Sequence, residues 1–169
     1  DKKISSMQYE IRMKDARLKF LQETEREKEG YNKSVKSLLL AAEKDANVKQ
    51  GMEGVVASLI SVPQPYETAI EMALGASLQN IVTQTEEDAK RLVEYLRKNN
   101  LGRASFLPIT TVKGKKIDRM ILNGLTGVIG IASDLITYAP KYEAIMQYLL
   151  GKTVVVQDLD TATILAKQN

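Results

Sequence analysis

The sequence has no cysteine and no histidine. Without thiols there is no disulfide framework, which fits a reducing compartment. Without imidazole or thiolate, most transition-metal sites and every histidine-dependent nucleophile are excluded. No cofactor, metal or catalytic residue is expected, and the chain reads as non-enzymatic. Nothing spans a bilayer: no uncharged run exceeds the 14 residues of Met72 to Thr85, and the run Ile121 to Ser133 is punctuated by Asn123, Gly124, Gly127 and Gly130. There is no basic-then-apolar leader, so a cytoplasmic protein with no membrane partner is expected. Because the chain starts at Asp1 rather than Met, it is expected to be a piece of something longer.

What is present is ordinary for a globular protein, 44% hydrophobic and 27% charged over 169 residues, but unevenly distributed. The first fifty residues hold 12 basic and 9 acidic side chains, no proline and one glycine, Gly30. They read as one long helix. A heptad register puts Ile4, Ile11, Leu18, Leu39 and Ala46 at a positions and Met7, Leu21, Val35 and Ala42 at d positions, with a polar lapse from Glu25 to Asn32. Such a stripe is expected to pair with a helix from outside this sequence, Leu39 and Ala42 included.

From Gly51 the helical periodicity stops and a repeat begins. Gly51 to Gly75 and Gly127 to Gly151 align without a gap, with eight of 25 positions identical, among them both Gly-x-x-Gly openings, the Tyr-Glu pairs Tyr66-Glu67 and Tyr142-Glu143, and the closing Leu-Gly. Each copy predicts an apolar run of strand or buried-turn character (Val55 to Val62 in the first), a proline-bearing turn, a short helix, and a glycine suited to the left-handed C′ position. Two similar half-domains packed with approximate twofold symmetry, within the chain or between chains, are implied. After the first copy, Leu78 to Thr83 predicts a strand. Thr85 with Asp88 predicts an N-cap for a helix to about Lys98 with buried Ala89, Leu92, Val93 and Leu96, and Ala104 to Leu107 a strand stopped by Pro108. After the second come a strand over Thr153 to Gln157 and a helix opening near Asp158 or Asp160. The fold class is α+β, small mixed sheets with packed helices on a long arm. Boundaries are expected at 1–50 for the arm, 51–120 for a first subdomain and 121–169 for a truncated second one.

Three features bear on chemistry. Gly151-Lys152-Thr153 resembles the end of a phosphate loop, but Met146 stands where the loop needs glycine, and a helix precedes where a strand should. Gly124, Gly127 and Gly130 lack the order of a dinucleotide fingerprint and are expected to allow close backbone approach within the fold or at an interface. Finally, Lys90 to Arg119 carries nine basic against two acidic residues, whereas residues 51–169 as a whole are neutral. That segregation points to a phosphate backbone as partner, with Arg97, Lys98, Arg103, Lys113, Lys115 and Lys116 as candidates and the Lys113-Gly114-Lys115-Lys116 loop as the most accessible part. Little aromatic interleaving beyond Tyr95 and Phe106 implies weak, sequence-blind binding.

Gly51 to Pro63, Tyr66-Glu67-x-x-Ile70-Glu71-x-Ala73-Leu74-Gly75, Leu78-Gln79-x-Ile81-Val82, Ala89-Lys90 and Gly102-Arg103-Ala104-Ser105-Phe106-Leu107-Pro108, behind a heptad arm, together resemble the hinge of structural maintenance of chromosomes (SMC) proteins, best the bacterial Smc type. The related family with a zinc hook needs a Cys-x-x-Cys that is absent. The resemblance covers about 51–167 and implies a toroidal homodimer, subdomain I of one protomer meeting subdomain II of the other, with Gly124, Gly127 and Gly130 at or beside the interfaces. It also implies an arm that pairs with an antiparallel return helix and leads to an ATP-binding head, a role in chromosome condensation and segregation at the nucleoid, and weak DNA binding. A family hinge continues beyond Ala166 into a strand, a glycine-rich motif and the return helix, none of them in this sequence. The alternative function is a coiled-coil-tethered nucleic-acid-binding domain centred on residues 90–119.

Overall fold

The computed structural model describes residues 2–157. The helix expected near Asp158 or Asp160, and the side chains of the polar lapse from Glu25 to Asn32, lie outside the described residues. Helix α1 (Lys2–Lys44) forms from a proline-free run of good helix formers, in which the one glycine is too little to break it. It ends earlier than fifty residues. Asp45 leaves the helical region, and its carboxylate accepts the Asn47 N–H at 2.9 Å to cap a separate turn, α2 (Ala46–Lys49). Ala46 belongs to that turn and is exposed, not on the seam.

The lower end of the arm is covered by this chain itself. Val35, Leu38 and Ala42, at helical spacing, are buried with Val48 against Ile81, Leu92 and Leu96, and Leu39 packs on the same cluster. The expectation that Val35, Leu39 and Ala42 face a helix from outside the sequence is thereby corrected. The strand of Ile81 and the helix of Leu92 and Leu96 present an apolar surface there, and the nearest stripe able to cover it is the arm's last turns. Ile4, Met7, Ile11, Leu18 and Leu21, farther out, are each half or more exposed.

The first repeat then runs through β1 (Met52–Val55), α3 (Val56–Leu59), β2 (Ile60–Ser61), a 3-10 turn and α4 (Glu67–Leu74). The apolar run Val55 to Val62 thus divides into three short elements. β3 (Ile81–Thr83), α5 (Glu86–Lys98) and β4 (Phe106–Pro108) follow. The capping box forms as expected: Asp88 N–H donates to Thr85 Oγ1 at 3.1 Å and Thr85 N–H to Asp88 Oδ2 at 3.2 Å. Of the predicted α5 stripe, Ala89, Leu92 and Leu96 are buried and Val93 is half exposed, because the contact is a narrow i, i+3, i+7 line. Pro108 lies inside β4 rather than beyond it. β4 is the outer strand, and since Ser105 O and Ile109 N make the flanking bonds to β3, the proline nitrogen points away from the ladder.

The second repeat gives β5 (Val128–Ile131), β6 (Thr137–Tyr138), α6 (Glu143–Leu150) and β7 (Val154–Val156). β1 and β3 are antiparallel and β3 and β4 parallel, while β5 and β7 are antiparallel. The two repeats match bond for bond. Gln84 N–H donates to Gly51 O at 2.8 Å and Gln157 N–H to Gly127 O at 2.7 Å; Val56 N–H donates to Asn80 O at 3.0 Å and Ala132 N–H to Thr153 O at 2.8 Å. A register irregularity falls between Met52 and Gly54 and again between Val128 and Gly130.

The halves join through β2 and β6, which pair antiparallel with Ser61 opposite Thr137 and Ile60 opposite Tyr138. Ser61 and Thr137 hold the same repeat position, so the strand pairs with its own copy and a local twofold axis passes through that pair. Around it one core forms. Val56, Ile70, Leu74 and Val82 are buried together with their counterparts Ala132, Met146, Leu150 and Val155. A lone repeat of this size would bury too little apolar surface to hold itself together, and sharing a core about the dyad supplies what each lacks.

Candidate functional site

The glycines singled out by the sequence divide by cause. Gly124 (φ +80°) and Gly127 (φ +85°) adopt backbone that side chains strain to reach, and Gly130 sits at the β5 irregularity. A Cβ on Gly124 would meet open space, and one on Gly130 would touch only the Leu135 side chain, at 3.4 Å. At these two positions no backbone of this chain makes the close approach.

Close approach occurs elsewhere. The loop carrying Lys113, Gly114, Lys115 and Lys116 lies as a strap along α6: a Cβ on Gly114 would collide with Ala144 O, Gln147 Cβ and the Tyr148 nitrogen. A Cβ on Gly151 would collide with the carbonyls of Lys115 and Gln147, and Ile117 N–H donates to Gly151 O at 2.9 Å. The loop expected to be the most accessible part of the basic segment is therefore bound down along its backbone, with Val112 against the core. Gly151 is right-handed (φ −68°), against the left-handed expectation; it must be glycine because the strap crosses it. Gly75 has positive φ (+51°), but its ψ of −126° places it outside the left-handed helical region as well. The Gly-Lys-Thr stretch is the strap's seat, between a helix and a strand.

The basic candidates are partly neutralised. Arg97 makes two 3.0 Å bonds to Glu94. Lys116 and Arg119 both pair with Asp134, the latter at 2.9 Å. Burial pushes the Asp134 carboxyl up, but the bonds from Lys116 and Arg119 outweigh it and hold the carboxyl below its ordinary value. Among the described residues, Lys98, Arg103, Lys113 and Lys115 have no carboxylate partner and remain exposed.

Sequence reasoning missed the polar contact between the halves. Glu53 on β1 accepts from Lys141 Nζ and from Tyr142 Oη, each at 2.8 Å, and from Gln84 Nε2 at 3.3 Å. The hydrogen bond from Lys141 is the main reason its carboxyl is held below the usual range; burial opposes this. Burial and the Glu53 bond raise the Tyr142 hydroxyl in turn. The only signal in the sequence was asymmetry: Glu53 aligns with Ile129 and Lys141 with Pro65, so neither charge belongs to the repeat. Gly102 in the Gly-Arg-Ala-Ser-Phe-Leu-Pro stretch was also only half read. It has φ +97°, and a Cβ there would strike the side chain of Ser34 on the arm.

A helical arm is thus seated on an α+β body built from two repeats about a local dyad. A family model described as "SMC proteins Flexible Hinge Domain" matches residues 49–166, and the chain belongs to that family. It is 39% identical over 168 residues to the chromosome partition protein Smc of Desulfitobacterium hafniense (strain Y51), covering 98% of this chain and 14% of that protein. It is 40% identical over 141 residues to the Smc of Bacillus subtilis (strain 168), covering 82% and 12%. The chain thus spans about a seventh or less of these relatives. Among solved structures it is similar to an asymmetric dimer of the Geobacillus stearothermophilus SMC hinge domain, with TM-score 0.76, 36% identity, and 92% of this chain on 62% of that one. The Pyrococcus furiosus SMC protein hinge domain gives TM-score 0.59 at 33% identity, with 76% and 75% covered. The matched segment is the hinge and not a catalytic domain.

Proposed function

We propose that this chain is the dimerisation hinge, with its incoming arm, of an Smc chromosome partition protein acting at the nucleoid in the cytoplasm. Residues 1–50 are the arm, 51–120 the first subdomain and 121–169 an incomplete second one, while ATP binding belongs to heads outside these residues. The observation that carries the reading is the match of 49–166 to the hinge family, joined to the likeness to a hinge solved as a dimer. The internal dyad supports it, and so does the open backbone around Gly124 and Gly130, which leaves room for another chain. The exposed seam at Ile4, Met7, Ile11, Leu18 and Leu21 is the surface for an antiparallel return helix; burying such side chains is worth about 1.5–3 kcal/mol each.

Sedimentation of the hinge with its own C-terminal flank tests the assembly. A species of twice the protomer mass is expected, and Gly130→Val, which meets no positive φ and only the Leu135 side chain, should give a folded protomer of half that mass. A wild type that stays monomeric at every concentration, or a folded variant that dimerises as tightly, removes the reading.

DNA contact is a weaker second task, carried by Lys98, Arg103, Lys113 and Lys115 rather than by the paired Arg97 and Lys116. Reversing those four to glutamate should abolish binding to labelled oligonucleotides while leaving dimerisation intact. In the wild type log K should fall with log salt by roughly 0.9 per phosphate neutralised on duplex. Equal affinity of the two proteins would reduce the function to dimerisation alone.

A further inference from the structure

Helix α1 stops at Lys44, and a helix end beside a globular body is where a pivot between arm and body would form. The contacts around this break oppose one. Apolar side chains are buried on both sides of it, Val35, Leu38 and Ala42 before and Val48 after, in one cluster with Ile81, Leu92 and Leu96. The link itself is tied down. Asp45 caps α2, Arg91 on α5 donates to the Gln50 carbonyl, and a Cβ on Gly51 would strike the Asp88 carboxylate. Farther up the arm a second contact forms. Helix α5 ends in Asn100 at φ +51°, Leu101 N–H closes the turn on Leu96 O at 3.0 Å, and the chain then passes so close to the arm that Gly102 has no room for a Cβ beside Ser34 Oγ. Ser34 is only 5% exposed.

We propose that the arm from Ser34 to Val48 is a built-in part of the hinge body, and that its seat, with Ser34 packed against Gly102, fixes the direction in which the arm leaves. The family match begins at residue 49, after this whole stretch. A helix held at Ser34, Val35, Leu38 and Ala42 is gripped over about two turns and has no freedom to swing about Asp45. Since the seat is made by α5 and β3, a torque on the arm passes into them and into the β1–β3–β4 sheet instead of being absorbed at the break. Ser34 is the positioning residue: a small side chain fits where Gly102 approaches, and a larger one would push the arm outward. The joint lies within one chain, so this proposal and the dimerisation reading can fail separately.

Because the chain has no cysteine, thiols can be placed singly. Spin labels on Lys33→Cys of the arm, paired in turn with Glu71→Cys and Glu87→Cys of the body, report the arm's direction as two distances in chains diluted with unlabelled chain; all three sites are exposed. Lys33 lies about 18 Å along the helix from Asp45, so a swing of about 10° there would carry its label about 3 Å. Wild type should give one narrow distribution for each pair. Asn47→Gly with Lys49→Gly, which loosens the exposed link, should leave both in place, and so should Ser34→Ala. Ser34→Leu suits a helix but has no room beside Gly102, and should shift at least one distance by about 3 Å or more. Amide spectra of residues 128–156 check that each variant is folded. Broad wild-type distributions, broadening by the two link glycines, or wild-type distances in folded Ser34→Leu would overturn the proposal. If Ser34→Leu does not fold, the wild type and the link variant decide it.

Discussion

The two repeats end their central helices with the same two residues, Leu74-Gly75 and Leu150-Gly151, and use the glycine for different ends. At Gly75 the backbone turns to positive φ with empty space around it; at Gly151 the backbone stays helical and another segment lies on top. A repeat in sequence therefore guarantees the element, not the reason for each residue in it. Once one copy acquires a strap and the other an arm, identical positions answer to different neighbours.

Core substitutions should break the comparison most. Leu74 and Leu150 are counterparts in the one shared core, so Leu150→Ala and Leu74→Ala should each cost about 2–5 kcal/mol by chemical denaturation. Each should unfold both halves in a single transition. Two separated transitions would mean that the halves have independent cores.

The glycine pair should then separate. Gly151→Ala forces a methyl into two carbonyls and should destabilise by roughly 3 kcal/mol, whereas Gly75→Ala meets backbone strain alone, at φ +51° and ψ −126°, of order 1–3 kcal/mol. Equal losses would deny the strap its place.

The smallest effect concerns the Glu53 contact between the halves. Because its carboxyl is held low in the folded chain, its contribution is full above the ordinary carboxylate value, about 4.3. It is lost as pH falls through the lower native value. Glu53→Gln should therefore be less stable than wild type at pH 7, with the gap closing below about pH 4 as the wild-type carboxyl takes up its proton. Parallel stability curves from pH 7 to pH 3 would exclude it.

Much of this was legible in sequence because it is local. The Thr85 capping box, the α5 stripe apart from Val93, and the two Gly-x-x-Gly units follow from residues a few places apart. The strap was not legible, since what fixes Gly114 and Gly151 is contact with each other's segments 37 residues away. Nor was the covering of Val35, Leu39 and Ala42. A heptad identifies an apolar stripe but not which surface meets it, and here the chain's own sheet competes with any partner helix.

Hydrogen exchange along the two helices tests the central difference directly. With α6 covered by the strap and α4 bare among the described residues, the amides of 145–151 and of Ile117 should exchange markedly more slowly than those of 69–75 in this chain. Equal protection of the two helices, with Ile117 exchanging as an open loop, would contradict it.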